Sequence, residues 1–334
     1  MRQVLLPTAA TMPGVDSHDP DPVPDVISPK DLNDLLREIG TTPESLKRDA
    51  AALREWIVAE PHLPNVTSDL DEWLETFLIV SKNSMEKAKA RLDNYFTCRT
   101  TLADWFVVPP PPEDRGIMED TDYVQGGYLP RLLPGGLCLY FEKPVMPPHG
   151  NWSRIDLSTH YRRSLLNVEA MFGRCKPVRG VVFVYDQKNI NMGVVTTLLS
   201  SLGLFRKWMG CIQDAMPTNV KAIHLINGTA PNITRMLLNA FTPLMKAKIA
   251  GRIIVHDSLK SLHEHIAPEY LPKEYGGSEE ATLKEMGTVL GNFILSKKEW
   301  YASRAWMKTD ESLRAVKKTS EFGIEGSFRK LEVD

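Results

Sequence analysis

The chain has 334 residues, 25% of them charged and 43% from the set AVILMFWYC. That suffices for one large or two ordinary domains, and it excludes collagen, a disulfide scaffold and a wholly disordered chain. Lys and Arg total 40 against 42 Asp and Glu, a formal charge of -2, so bulk charge gives no reason to expect a nucleic-acid partner.

Residues 1–29 read as a disordered acidic, Pro-rich tail. Asp16, Asp19, Asp21 and Asp25 alternate with Pro13, Pro20, Pro22, Pro24 and Pro29, leaving little apolar surface to bury. Val4-Leu5-Leu6 is shorter than the ~7–15 residues of a signal-peptide core. Ser28-Pro29 then caps and starts a helix carrying Leu32, Leu35, Leu36 and Ile39, with Gly40 as its stop. Thr42-Pro43 starts a second, with Leu46, Ala50, Leu53 and Ile57 on one face. A third runs from about Asp69 to Ser81 and carries Leu70, Trp73, Leu74, Phe77 and Leu78. A fourth begins near Ser84 and carries Ala88, Leu92, Tyr95 and Phe96. Residues 30–105 are therefore expected to be an all-helical domain.

Pro109 to Pro112 is a polyproline break within a linker over 106–125. Beyond it, short apolar runs alternate with helical patterns. Leu137 to Phe141, Gly180 to Asp186, Val220 to Ile226 and Arg252 to His256 read as strands. Ser158 to Phe172, Val194 to Ala215 and Asn232 to Gly251 read as helices, the last interrupted by Pro243. Continuous β-branched and aromatic runs suit strands buried on both faces of a parallel sheet, and the alternation argues for βαβ units over 126–280. After Gly276-Gly277, residues 281–334 read as a charged helical tail extending as helix to about Lys318. No apolar stretch approaches the ~18–20 residues of a membrane span.

The catalytic and metal patterns fail one by one. No P-loop, GxGxxG or GxSxG occurs, so Asp186 at the end of its strand reads as a turn or cap residue rather than a ribose ligand. His263 and His265 are two apart and do not share a helix face, so they read as packed or solvated histidines. Cys98, Cys138, Cys175 and Cys211 form no CxxC pair, which predicts reduced, buried thiols in a reducing compartment. Glycosylation-type triplets at Asn65, Asn151, Asn227 and Asn232 are expected to be chance matches. Neither an enzyme nor a cofactor or metal is expected.

The segment from Asn232 to Gly251 stands out instead. Ile233, Met236, Leu237, Leu238, Phe241, Leu244, Met245 and Ile249 cover most of its circumference, and Lys246, Lys248 and Arg252 follow at its far end. Such a helix is either a core helix with a basic cap or a cover over an apolar pocket with an anion-binding edge.

Several spaced motifs agree with a known family. Phe77-Leu78, Met85-Glu86-Lys87-Ala88-Lys89 and Tyr95-Phe96 with Arg99 resemble the helical N-terminal region of CRAL-TRIO proteins. Val220 to Asn227 carries an "IHLIN" strand. Pro243-Leu244-Met245, Lys248-Ile249, Arg252-Ile253 and Leu271-Pro272-Lys273-Glu274-Tyr275-Gly276-Gly277 follow in the family's order. The likeness spans about 30–300 and is strongest to the tocopherol-transfer and retinaldehyde-binding branch. It implies a helical bundle followed by an α/β domain whose sheet floors a lipid pocket under a mobile lid helix.

By this resemblance the pocket comprises Tyr161, Ser164, Val168, Val181, Phe183, Tyr185, Trp208, Cys211, Ile212, Met216 and Ile223, with Ile233, Leu237 and Phe241 from the lid. Ser164 and the Tyr185 hydroxyl are its polar anchors. Phosphoinositide-binding positions fall on Lys221, Lys248 and Arg252. The chain departs from the family pattern at Asn219, where a basic residue is usual. It departs again at Ile79-Val80-Ser81-Lys82, which keeps one basic residue of three, and at a two-residue insertion around Gly228–Ala230. The implied job is non-enzymatic carriage of one tocopherol, retinoid or related isoprenoid lipid by a cytoplasmic monomer that contacts anionic membranes transiently. An interaction module with a vestigial pocket, a phospholipid or phosphatidylinositol carrier, and a lipid dehydrogenase are the alternatives.

Overall fold

A computed structural model describes residues 27–172, 179–228 and 230–315; the acidic tail before residue 27, Cys175 and the chain beyond 315 lie outside them. The first helices begin where their caps dictate. Helix α1 (Pro29–Glu38) has the Ser28 hydroxyl accepting from the Asp31 amide, and α2 (Pro43–Ala59) has Thr42 accepting from the Ser45 amide. Gly40 between them adopts φ +72°, a left-handed turn suited to glycine. Leu46, Ala50, Leu53 and Ile57 of α2 are buried against α3 (Asp71–Val80) and α4 (Met85–Thr101). Trp73, Phe77, Tyr95 and Phe96 meet there edge to face, with ring centroids 4.7–5.6 Å apart.

The second part is a mixed α/β structure. A short helix, α5 (Gly116–Glu119), leads into β1 (Val124–Tyr128), β2 (Leu137–Pro144), α6 (Leu157–Phe172) and β3 (Gly180–Asp186). There follow α7 (Met192–Ser200), α8 (Leu202–Gly210), β4 (Val220–Ile226), α9 (Pro231–Phe241), α10 (Ala247–Ala250) and β5 (Ile253–Val255). The chain then runs through α11 (Leu259–His263), α12 (Leu283–Ser296) and α13 (Lys298–Ser303). The five strands lie in sequence order, β1 antiparallel to β2 and the rest parallel.

Four expectations need correction. β1 has no strand signal in the sequence, because glycines occupy its centre. Gly126 is required there: a Cβ would stand 2.0 Å from the Phe141 carbonyl oxygen of β2. The helix expected over Val194 to Ala215 is two helices meeting at Ser201, then a π turn, Cys211–Ala215. The helix expected over Asn232 to Gly251 is α9, a 3-10 turn holding Pro243, and α10, because proline lacks the amide an uninterrupted helix needs. The C-terminal helix ends at Ser303, well before Lys318. It packs in rather than trailing away: Met286 of α12 lies beside Gly127 of β1.

Alternation divides the sheet into two faces. Leu139, Phe141, Val182, Val184 and Ile226 pack under Leu262, Ile266, Leu271 and Tyr275. His224 lies on that side, its Nδ1 2.8 Å from His256 Nε2, whose other ring nitrogen is 2.9 Å from the Ser261 hydroxyl. The His265 ring packs on both, centroids 5.4 Å away. His263 instead meets the Tyr275 carbonyl at 2.8 Å. Burial, then repulsion from His256 and His265, pushes His224 down to about 4. Burial and His265 lower His256 too, against an opposing pull from Asp257 and Glu264. The unfolded chain therefore takes up protons from about pH 6.5 downward while folded His224 stays neutral. Acidification from pH 7 to 5 should cost about 2 kcal/mol through His224. Thermal melts should fall by about 3 °C over that interval, at ~2.1 cal/mol/K of unfolding entropy per residue, and by clearly less in His224→Gln.

Candidate functional site

The other sheet face is roofed rather than filled. Phe183 and Tyr185 of β3, stacked at 6.1 Å, form the floor of a cavity with Ile223, Leu225 and Ile253. Tyr161 and Ser164 of α6, Leu198 of α7 and Phe205, Trp208 and Met209 of α8 make its wall, joined by Ile212 of the π turn. Leu237, Leu238 and Phe241 of α9 close it from above, with Met245 and Ile249 beyond. Its volume is about 230 Å3. Among the described residues, no lysine or arginine lines it.

The roof is tied at both ends. The buried Thr234 hydroxyl of α9 donates to Gln187 Oε1 at 2.8 Å, just past β3. Phe241 meets Phe205 edge to face at 4.6 Å. At the far end the Lys246 amide donates to Gln213 Oε1 at 3.0 Å, the Lys246 ammonium pairs with Asp214, and Arg252 donates to the Val220 carbonyl. Each tie is a few polar or ring contacts, weak enough to break locally.

Nine of the pocket positions implied by the sequence line this cavity: Tyr161, Ser164, Phe183, Tyr185, Trp208, Ile212, Ile223, Leu237 and Phe241. Ser164 accepts a hydrogen bond from the Trp208 indole N–H at 3.1 Å. Five others stand outside. Val168 lies one turn beyond Ser164 and is buried in the core. Val181 shares the face of Phe183 but sits at the closed beginning of β3. Cys211 turns toward the helical domain, its Sγ 3.2 Å from Cys98 Sγ; Met216 is buried outside the cavity, and its backbone carbonyl accepts from Arg91 at 2.5 Å. Cys98, Cys138 and Cys211 are buried thiols. Ile233 stands one turn before Leu237 on the same helix row, at the start of α9, and does not line the cavity as Leu237, Leu238 and Phe241 do.

One end of the cavity is charged, and no motif or periodicity in the chain signals it. Glu142 of β2 and His160 of α6 both line it. His160 Nε2 is 3.3 Å from Glu142 Oε1, and its Nδ1 is 3.1 Å from each Asp120 oxygen. Arg163 donates to Asp120 at 3.1 Å and to the Gly287 carbonyl at 2.6 Å. Burial alone would lower the His160 pKa, but Asp120 and Glu142 outweigh it and push it up to about 10. Burial alone would raise Asp120, and the same His160 and Arg163 hold it below its ordinary value. Nearby, Asp186 accepts from the Tyr275 hydroxyl at 2.8 Å and from the Lys188 amide, the turn role expected of it.

Beyond the opposite end lies a basic edge. Register slips between Val181 and Val182, so Lys221 is the extra residue of a bulge. Its pKa is lowered by burial first, against an opposing pull from Glu38, and then by Arg252, Arg179 and Lys82. Lys248 is lowered chiefly by Arg252, then burial, then Lys82 and Lys87. Lys82 and Lys87, both from the helical domain, thus join the three positions implied by the sequence. Such mutual repulsion is relieved by an anion.

Comparison with known proteins agrees with this geometry. The CRAL/TRIO domain matches residues 145–277, and a Pinta-like UBA domain matches 42–111. Alpha-tocopherol transfer protein-like of Mus musculus is 31% identical over 292 residues, covering 84% of this chain and 78% of its own. Its Homo sapiens counterpart is 30% identical over 272 residues, covering 78% and 73%. Human clavesin-2 is 30% identical over 258 residues, covering 75% of each. A solved structure titled "Crystal structure of Sfh5" matches at 11% identity and a TM-score of 0.43, over 80% of this chain and 98% of that one, too loosely to bear on the site. From its helical N-terminal domain through its roofed sheet to its matched segments, the chain belongs to the CRAL-TRIO lipid-binding family.

Proposed function

We propose that the protein carries one hydrophobic lipid of tocopherol or retinoid type between membranes, holding it under α9 without chemistry. The observation that carries this reading is the roofed cavity itself. Its lining is almost wholly apolar with a few polar groups at one end, the usual composition of a lipid site, and its roof is held by breakable ties. Desolvating a lipid supplies ~25 cal/mol per Å2 buried, so retention needs no covalent step. The printed names of the tocopherol-transfer-like relatives support the ligand class. In this reading the protein is a cytoplasmic monomer. Among the described residues no helix is long and apolar enough to cross a membrane.

Headgroups of anionic lipids, phosphoinositides among them, would meet Lys221, Lys248 and Arg252 at the basic edge. Arg252 and Lys246 also tie down the roof, so an anion there competes with ties that keep the cavity shut. The test is extraction from vesicles. The purified chain should remove labelled tocopherol or retinol saturably; failure to extract these or any phospholipid overturns the reading. Lys221→Ala with Lys248→Ala, which leaves the Arg252 tie in place, should slow delivery to anionic vesicles about tenfold or more, at ~1 kcal/mol per basic residue near the surface, while affinity for the lipid holds. Equal delivery rates for variant and wild type would remove the headgroup role.

A further inference from the structure

We infer that the cavity selects lipids ending in a hydrogen-bond donor, an alcohol, over the matching carboxylic acids, and that Glu142 is the residue that sets this choice. The inference rests on the reading of the cavity as a lipid site and names the ligand's headgroup.

Two observations fix the orientation of a bound lipid. Glu142 is paired in register with Tyr185, and both line the end of the cavity where Asp186 and Gln187 also stand. The other end is closed by Val220, Met245, Ile249 and Ile253, all apolar. A single-headed lipid therefore places its polar group beside Glu142 and its chain toward Ile249.

The charged cluster decides which polar group is accepted. Both ring nitrogens of His160 are already engaged, Nδ1 by Asp120 and Nε2 by Glu142. The Arg163 guanidinium faces Asp120 and the Gly287 carbonyl instead of the cavity, and among the described residues it does not line it. No lining cation is left for an incoming carboxylate. Glu142 uses Oε1 for His160, and its side chain keeps 18% exposure, so a carboxylate oxygen remains for a ligand. A hydroxyl donates to that oxygen. A ligand carboxylate would bring a second negative charge against it in a site lined mostly by hydrocarbon, where like charges repel strongly.

The experiment uses matched pairs: retinol with retinoic acid, geranylgeraniol with geranylgeranoic acid, and hexadecanol with palmitic acid. Each is presented to the full chain from neutral vesicles at neutral pH. Wild type should prefer the alcohol of each pair it extracts by about tenfold or more. Glu142→Gln, which keeps an acceptor for His160 and removes the charge, should bring the preference below about threefold, mainly by gaining affinity for the acid. A wild-type ratio near one or favouring the acid overturns the inference. So does an unchanged ratio in a Glu142→Gln protein whose thermal melt matches wild type. If that variant does not fold, the wild-type ratios decide alone. If wild type extracts no member of any pair, the lipid-site reading itself fails, an outcome distinct from loss of selectivity.

Discussion

Arg99→Ala should remove about 3–5 kcal/mol of folding stability, the cost of stripping one partner from a buried ion pair. The Arg99 guanidinium is almost fully buried in α4 and meets Glu169 of α6 at 3.0 Å. It also reaches the Tyr95 hydroxyl at 3.2 Å and the Arg304 carbonyl at 2.9 Å, and lies 4.8 Å from the centre of the Phe106 ring. Tyr95 donates to the same Glu169 oxygen at 3.0 Å. One side chain thus joins the helical domain, the cavity wall helix and the segment after α13. Without it, Glu169 keeps a carboxylate in the core with only a phenol beside it. Urea unfolding should show the midpoint falling by about 1–2 M. Arg99→Leu combined with Glu169→Leu should recover much of the loss, because the desolvation penalty leaves together with the attraction. A double variant no better than Arg99→Ala would show that the loss comes from packing rather than from the unpaired charge.

Ile223→Trp should lower lipid retention by more than about tenfold while costing no more than about 1–3 kcal/mol of stability. Ile223 sits mid-strand in β4 and faces the cavity beside Phe183. An indole there occupies space within a cavity of about 230 Å3. A lipid that loses ~100 Å2 of burial loses about 2.5 kcal/mol, nearly two orders of magnitude in Kd. Val181→Ile is the control: it enlarges a residue on the same strand face but outside the cavity, and retention should stay within about twofold. Equilibrium partitioning from vesicles measures both. Retention lost equally in the two variants would mean that the lipid does not lie where the cavity is.

The helical domain was legible because its signals are local. Ser28, Thr42 and Gly40 punctuate helices whose apolar residues recur every three or four positions, and such rules need no distant partner. β3 and β4 were legible for a related reason: strands buried on both faces leave a continuous apolar run. β1 was not, since its glycines answer to the Phe141 carbonyl across the sheet. Nor was the break between α7 and α8, where apolar residues continue through Ser201.

The site divides in the same way. Phe183 and Tyr185 could be placed because strand alternation put them on one face and the family resemblance named that face; the same two signals also named Val181, which lies outside the cavity. Ile233 could not, because it stands on the same i, i+4 row as Leu237 and Phe241, and nothing local says that the cavity ends one turn before it. Cys211 and Met216 were equally apolar and equally ambiguous. The π turn and the docking of α4 set the Cys211 thiol against Cys98 and bury Met216 away from the cavity.

The family, the helix caps, the buried strands and the apolar stock from which floor and roof are made can all be read along the chain. All of these depend on neighbours within a few positions, or on motifs in a fixed order. Packing in three dimensions settles which apolar residues face one another across the cavity and brings Lys82 and Lys87 to Lys248. It alone set Glu142 against His160 and Asp120. Those are contacts between residues far apart in the chain. Their geometry comes from how helices and strands pack, and a polar residue at a strand end carries no periodic trace of the partner it will meet.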